Sequence, residues 1–173
     1  WSIQIDSYLQ KVKEKRYYFL SLPCTLDTEI EHWQRVANVT DSLLFQLNTG
    51  PWRDVLSVTS QSQKRGGNPN IVETVRNWTR TYSDLVAACV EATDNAEHLS
   101  LLKPHLECFY SKDREKMPSA ISQMVSAMKN IYRKSRSYST AERMTQLFVL
   151  LSDGILDTFR DMILECAPNT EGP

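Results

Sequence analysis

Between residues 75 and 99, apolar side chains recur three and four apart without a slip: Val75, Trp78, Tyr82, Leu85, Cys89, Ala92, Ala96 and Leu99. That interval keeps one stripe on one side of a helix turning every 3.6 residues; a strand, whose side chains alternate, has no use for it. The spacing predicts a long helix packed at a shallow angle against others. Thirty such residues reach about 45 Å at ~1.5 Å each. An elongated bundle is expected rather than a vessel for a reaction.

The same periodicity recurs along the chain. Trp1, Ile5, Tyr8, Leu9 and Val12 share a face, which predicts a helix to about Phe19, ended by Pro23 because the residue before a proline is pushed out of the helical region. Thr25 or Asp27 is placed to cap a second helix carrying Ile30, Trp33, Ala37, Thr40, Leu44 and Leu47, with Glu29 and Glu31 in its positive first turn. A shorter helix with Trp52, Val55, Leu56 and Val58 is expected to open at Pro51. The stretch from Gln61 to Asn70, with two glycines and a proline among polar residues, is expected as a mobile loop. Beyond the long repeat, Pro104 kinks or restarts the helix, 111–116 makes a charged turn, and Pro118 opens a helix with Ile121, Met124, Val125, Met128, Ile131 and Tyr132 on one face. Ser139 and Glu142 have the spacing of a capping box before a last helix, on which Met144, Leu147, Phe148, Leu151, Ile155, Phe159 and Met162 face one way. The fold class is therefore all-α: an elongated antiparallel helical bundle, or bundles, with long heptad-patterned helices. A first bundle portion is expected over 1–60, a flexible loop over 61–70, a second portion over 71–167, and a frayed or linker end over 168–173.

Composition agrees and excludes several partners. Only 5 glycines occur in 173 residues, too few for the special turns of strand-rich folds, and 20 Lys and Arg against 21 Asp and Glu leave a net charge of -1. No global field draws the chain to nucleic acid or to an anionic membrane. The longest unbroken apolar run, Leu147 to Leu151, is far short of the roughly 20 residues that span a bilayer. Cys24, Cys89, Cys108 and Cys166 lie far apart with no Cys-x-x-Cys pair, and reduced thiols in a cytosolic protein are expected. The start at Trp1, with no initiator Met, marks the chain as an excerpt or a processed product.

Little in the sequence carries chemistry. His98, His105 and Cys108 are spaced loosely for a metal, with Pro104 interrupting the helix between them, and surface or interface histidines are expected instead. No phosphate-cradling loop, nucleophile elbow or His-Glu-x-x-His helix is present. Glu29 and Glu31 point to different faces. Asn38-Val39-Thr40 and Asn77-Trp78-Thr79 match a glycosylation acceptor but fall inside helices. Arg133, Lys134 and Arg136 with Tyr132 and Tyr138 form a basic cluster, read first as ordinary charge at a helix C-terminus and second as a site for phosphate or an acidic partner. Trp33 and Trp78 are expected in the core; Trp52, if exposed, is a candidate partner anchor. No catalytic residue, cofactor or metal site is expected.

Three stretches, Glu29-Ile-Glu-His-Trp33, Ala92-Thr-Asp-Asn-Ala-Glu-His-Leu-Ser100 and Ser137-Tyr-Ser-Thr-Ala-Glu-Arg-Met-Thr145, together with the opening Trp1-Ser-Ile-Gln-Ile5, resemble the first region of dynein heavy-chain tails. Their order and spacing carry the resemblance, which is closer to axonemal than to cytoplasmic heavy chains and covers nearly the whole chain. The loop 61–70 departs from the family pattern. The resemblance implies a non-catalytic tail segment that scaffolds heavy-chain and intermediate-chain assembly and anchors a ciliary motor to doublet microtubules. It implies other heavy chains, intermediate and light chains and docking proteins as partners, and a place in the cytoplasm, cytoskeleton and axoneme. Tyr17, Tyr18, Trp52, Tyr110, Arg133 and Arg136 are the candidate contact residues. The alternative from the residues alone is a secreted four-helix ligand of cytokine type, with its cysteines in disulfides; a helical enzyme ranks third.

Overall fold

The long apolar repeat emerges as a helix of 32 residues. The computed structural model describes residues 2–15, 25–49, 53–54, 57 and 69–166. Its helices are α1 (Ser2–Lys15), α2 (Leu26–Thr49), α3 (Pro69–Ser100), α4 (Lys103–Tyr110), α5 (Met117–Lys134) and α6 (Ala141–Cys166), and no strand occurs among the described residues. The chain is an all-α helical bundle, as the periodicity predicts. The expected features at 16–24, 61–68 and 167–173 lie outside the described residues. So do Trp52, Val55, Leu56 and Val58 of the expected short helix, of which Arg53, Asp54 and Ser57 are helical.

Local chemistry sets most of the helix ends. Thr25 caps α2 in a reciprocal pair: Thr28 N–H donates to Thr25 Oγ1 at 3.2 Å, and Thr25 N–H donates to Thr28 Oγ1 at 2.9 Å. Asp27 is left in the first turn, where its carboxylate meets Lys103 at 2.9 Å and raises the lysine's pKa, chiefly through their hydrogen bond. Pro69 and Asn70, expected to finish a loop, instead open α3; a proline there loses no bond, because its missing N–H had no helical partner. Pro104 restarts the chain as α4 after a turn in which Leu102 N–H donates to Leu99 O at 3.0 Å. Between α4 and α5, Lys112 adopts the left-handed conformation (φ 55°), and Lys116 pairs with Asp113 at 2.6 Å, holding that carboxyl below its ordinary pKa.

The cap of α6 differs from the expectation by one residue. Arg143 N–H donates to Thr140 Oγ1 at 3.3 Å, and Met144 N–H donates to Thr140 O at 3.0 Å, so Thr140 caps the helix. Ser139 does not serve because its hydroxyl donates to Arg136 O at 2.9 Å, closing the preceding turn.

By contacts the chain divides into two compact units, residues 1–21 with 32–93 and residues 22–31 with 94–173, a division that falls inside α2 and α3. In the first unit Ile5, Leu9, Leu47 and Leu85 are buried together, with Tyr8, Leu43, Leu44, Trp78, Tyr82 and Ala88 packed around them. Thr81 Oγ1 donates to Asp6 at 2.9 Å and Tyr82 to Asn48 at 3.2 Å, fixing the register of α3 on α1 and on α2. In the second unit α4 packs against both α5 and α6. Leu102, Leu106 and Phe109 are buried, and Phe109 meets Phe159 edge to face at 6.2 Å.

On α5 and α6 the buried faces are narrower than the apolar patterns. The core takes Met117, Ala120, Met124 and Ile131 from α5 and leaves Ile121, Val125 and Tyr132 exposed. It takes Leu147 and Leu151 from α6, leaves Phe148 exposed, and covers Phe159 only in part, against Phe109. The sequence patterns merged each buried stripe with a neighbouring outward one, because spacing alone cannot say where the core ends.

Gly154, inside α6, faces Tyr110 of α4, whose hydroxyl would lie 3.0 Å from an added Cβ. Tyr110 is 59% exposed, so its ring can swing aside. Gly154→Ala should therefore gain helix propensity of about 0.5–1 kcal/mol. Thermal melting followed by circular dichroism should show the midpoint rise by about 1–4 °C; a fall would mean the tyrosine is held in place.

Candidate functional site

The densest polar cluster lies in the second unit, where a six-residue stretch between α5 and α6 (135–140) is fastened to two other helices. Ser135, Ser137 and Tyr138 are buried although they sit in a connection. Ser135 Oγ donates to Asn95 Oδ1 at 2.6 Å, and Asn95 Nδ2 donates to Ser137 Oγ at 3.1 Å, so a fully buried amide on α3 holds both serines. Tyr138 N–H donates back to Ser135 Oγ at 3.3 Å. Its hydroxyl donates to Glu29 Oε1 in the first turn of α2. Arg143, from the start of α6, brings Nη2 to 3.5 Å from the same oxygen, lays its guanidinium 5.1 Å above the Tyr138 ring centroid, and donates from Nη1 to Gln146 at 3.2 Å.

Glu29 is a first-turn acid, as expected, and it is also a buried carboxylate held by a phenol and a guanidinium. Tyr138 is withdrawn from the basic cluster in which it was expected, because its ring fills the core between Glu29 and Arg143. No spacing rule flags these residues: Glu29, Asn95 and Arg143 read as ordinary helix-surface polars, and only the run Ser135–Thr140, rich in hydroxyls, hints at a connection wanting partners. The cluster is a structural clasp. It holds a buried ion pair and a set of hydrogen bonds across three helices.

Other features point outward. A cavity of about 380 Å³, open to solvent, is lined by His98, Leu101, His105, Gln123, Asn130 and their neighbours. His98 Nδ1 lies at hydrogen-bond distance from Asp94 O within its own helix. No group of three metal-binding side chains occurs among the described residues. Among these residues no helix is long and apolar enough to cross a membrane. Among the described residues Cys89 and Cys108 carry free thiols, each half-buried.

Of the candidate contact residues, Tyr17, Tyr18 and Trp52 lie outside the described residues. Tyr110 is exposed on α4, and Arg133 and Arg136 are exposed at the C-terminal end of α5 and just beyond it, beside half-exposed Tyr132. The two arginines share the cationic end of one helix; Tyr110 stands on another, above Gly154.

Comparison with known proteins is consistent across the chain. The family model described as dynein heavy chain, N-terminal region 1, matches residues 1–166. The dynein axonemal heavy chain 8 of Mus musculus is 24% identical over 142 residues, 82% of this chain and 3% of that protein. The dynein axonemal heavy chain 5 of Rattus norvegicus is 29% identical over 128 residues, 74% of this chain and 4% of its own length. The dynein gamma chain of the flagellar outer arm of Chlamydomonas reinhardtii is 24% identical over 139 residues, 80% of this chain and 3% of its own. The chain thus spans only a few hundredths of the length of these relatives. No solved structure matches it significantly.

The clasp makes a quantitative prediction. Arg143→Met strands a buried carboxylate and should destabilise the chain by about 3–5 kcal/mol. Tyr138→Phe should cost about 1–3 kcal/mol. Combining Arg143→Met with Glu29→Gln should recover part of the loss, with a coupling of about 0.5–3 kcal/mol in urea denaturation. Strict additivity of the two substitutions would show that Glu29 and Arg143 do not act as a pair.

Proposed function

Because the chain belongs to the dynein heavy-chain family, as its N-terminal region 1, we propose that it is a non-catalytic tail segment that scaffolds motor assembly. The single observation that carries this reading is the family match, which runs over residues 1–166. In the proposed role the segment joins its heavy chain to other heavy chains and to intermediate and light chains, and helps dock the motor on doublet microtubules. Its relatives are named as axonemal and as flagellar outer-arm chains, and the axoneme of cilia and flagella is its place. It hydrolyses nothing; ATP-driven work belongs to parts of the heavy chain outside it.

The physical means is geometric. Helices pinned by buried polar pairs present side chains at fixed separations, and a partner docking on a preformed surface loses little freedom in the protein it meets. A stable contact needs roughly 800 Å² on each side, more than any one residue supplies. The proposed contributors are Tyr110, Arg133 and Arg136, with Tyr17, Tyr18 and Trp52. Exposure of Tyr110, Arg133 and Arg136 supports that assignment, since aromatic and arginine side chains dominate interface energetics.

The test uses the full heavy chain in a ciliated cell. Deleting residues 1–166 should reduce the heavy chain and its intermediate chains in isolated axonemes, read by quantitative immunoblotting; normal arms after the deletion would overturn the scaffold role. Arg133→Glu with Arg136→Glu, and separately Tyr110→Ala, should weaken co-purification of partner subunits by about thirtyfold or more, the effect of losing one interface hot spot of about 2 kcal/mol. Unchanged co-purification would remove those residues from the interface while leaving the scaffold reading intact.

A further inference from the structure

An arginine stands three residues before a serine or threonine three times in the chain: Arg76 before Thr79, Arg80 before Ser83, and Arg136 before Ser139. A kinase that reads such an arginine with carboxylates in its cleft takes the substrate backbone extended, so local conformation decides which hydroxyl it can reach. Thr79 and Ser83 lie inside the 32-residue α3, and Thr79 Oγ1 already donates to Val75 O at 2.9 Å. Ser139 lies outside any helix, in the stretch 135–140, whose first residue is extended (Ser135, ψ 129°). Ser139 and Arg136 are both exposed. The other hydroxyls of the stretch do not qualify. Ser135, Ser137 and Tyr138 are buried, and Thr140 caps α6 with no arginine three residues before it.

The approach to Ser139 carries charge of one sign. Arg133, Lys134 and Arg136 are exposed, and none of them makes an ion pair among the described residues. No acidic residue occurs from Lys129 to Ala141. The Ser139 hydroxyl donates to Arg136 O at 2.9 Å, which closes the turn and offers these cations no anion. A phosphoryl group there would bring about −1.5 to −2 charges and oxygens that accept a forked guanidinium. The local charge would fall from +3 on Arg133, Lys134 and Arg136 to about +1.

We propose that Ser139 is a phosphorylation site for a serine kinase that selects a preceding arginine, and that the clasp gates it. In the transfer, Ser139 Oγ bonds to the γ-phosphorus of ATP as the bond to the bridging oxygen breaks. ADP leaves, and the hydroxyl proton passes to the kinase's carboxylate base. Gating follows from the neighbours of Ser139. To lie extended in a cleft, residues 136–139 must lift away, breaking the bonds of Tyr138 to Glu29 and of Asn95 to Ser137. Phosphorylation then draws on the open fraction of the stretch, which the clasp keeps small. The phosphate lowers the cationic charge at Arg133 and Arg136. Its effect on a partner rests on the contact proposed for those arginines; the modification itself does not.

Heavy chain isolated from axonemes under phosphatase inhibitors and mapped by mass spectrometry should carry phosphate on Ser139 and none on Thr79 or Ser83. An unmodified Ser139 would overturn the proposal. The 173-residue chain, given ATP and a purified calmodulin-dependent kinase that selects Arg-x-x-Ser, should gain one phosphate. Ser139→Ala should abolish that gain, and Arg136→Ala should slow it about tenfold or more. Tyr138→Phe should speed it about fivefold or more, because one buried hydrogen bond no longer holds the stretch closed. Phosphate entering another residue first, or a rate indifferent to Arg136, would overturn the site. A rate unmoved by Tyr138→Phe would overturn the gating. In ciliated cells Ser139→Glu should weaken co-purification of partner subunits about threefold or more, in the same direction as Arg133→Glu with Arg136→Glu. Loss with the arginine variant alone would overturn control of that contact by Ser139. Loss with neither would remove the contact and leave the phosphate map to decide the site.

Discussion

A carboxylate taken out of water must be met by matched donors, and the second unit is organised around how Glu29 is met. Transfer of an ion from water to a protein interior costs several kcal/mol even after relaxation. Tyr138 and Arg143 offset that cost only in one geometry, with the phenol directed at one oxygen and the guanidinium lying across the phenol's ring. Apolar contacts tolerate small slides of one helix on another; a buried acid with two named partners does not. Asn95 does the same for Ser135 and Ser137. Register in this unit is set by polar atoms, while apolar burial supplies most of the driving force.

The consequence appears on α5 and α6. Both have apolar residues around more than half of the helix, and both are followed or preceded by the fastened stretch 135–140. Once that stretch is fixed, each helix can turn only one part of its apolar surface to the core. Met124 and Ile131 go in and Ile121 and Val125 stay out; Leu147 and Leu151 go in and Leu156 and Ile163 stay out. The exposed stripes are therefore not failures of packing. They are what remains when hydrogen bonds, rather than the widest apolar face, decide the orientation of a helix.

The sequence revealed the parts of this arrangement that depend on period and breaks. The three-and-four repeat of α3, the restart at Pro104 and the opening of α5 near Pro118 all follow from rules that act within a few residues. The cap of α6 fell one residue away because two hydroxyls, Ser139 and Thr140, compete for one role, and the turn claims the first. The clasp was not legible. Glu29 meets residues more than a hundred positions away, and a glutamate near a helix start has an adequate local explanation that hides the distant one. The family, by contrast, was legible from ordered short stretches, all three of which contain clasp residues: Glu29 opens the first, Asn95 lies in the second, and Ser137, Tyr138 and Arg143 lie in the last.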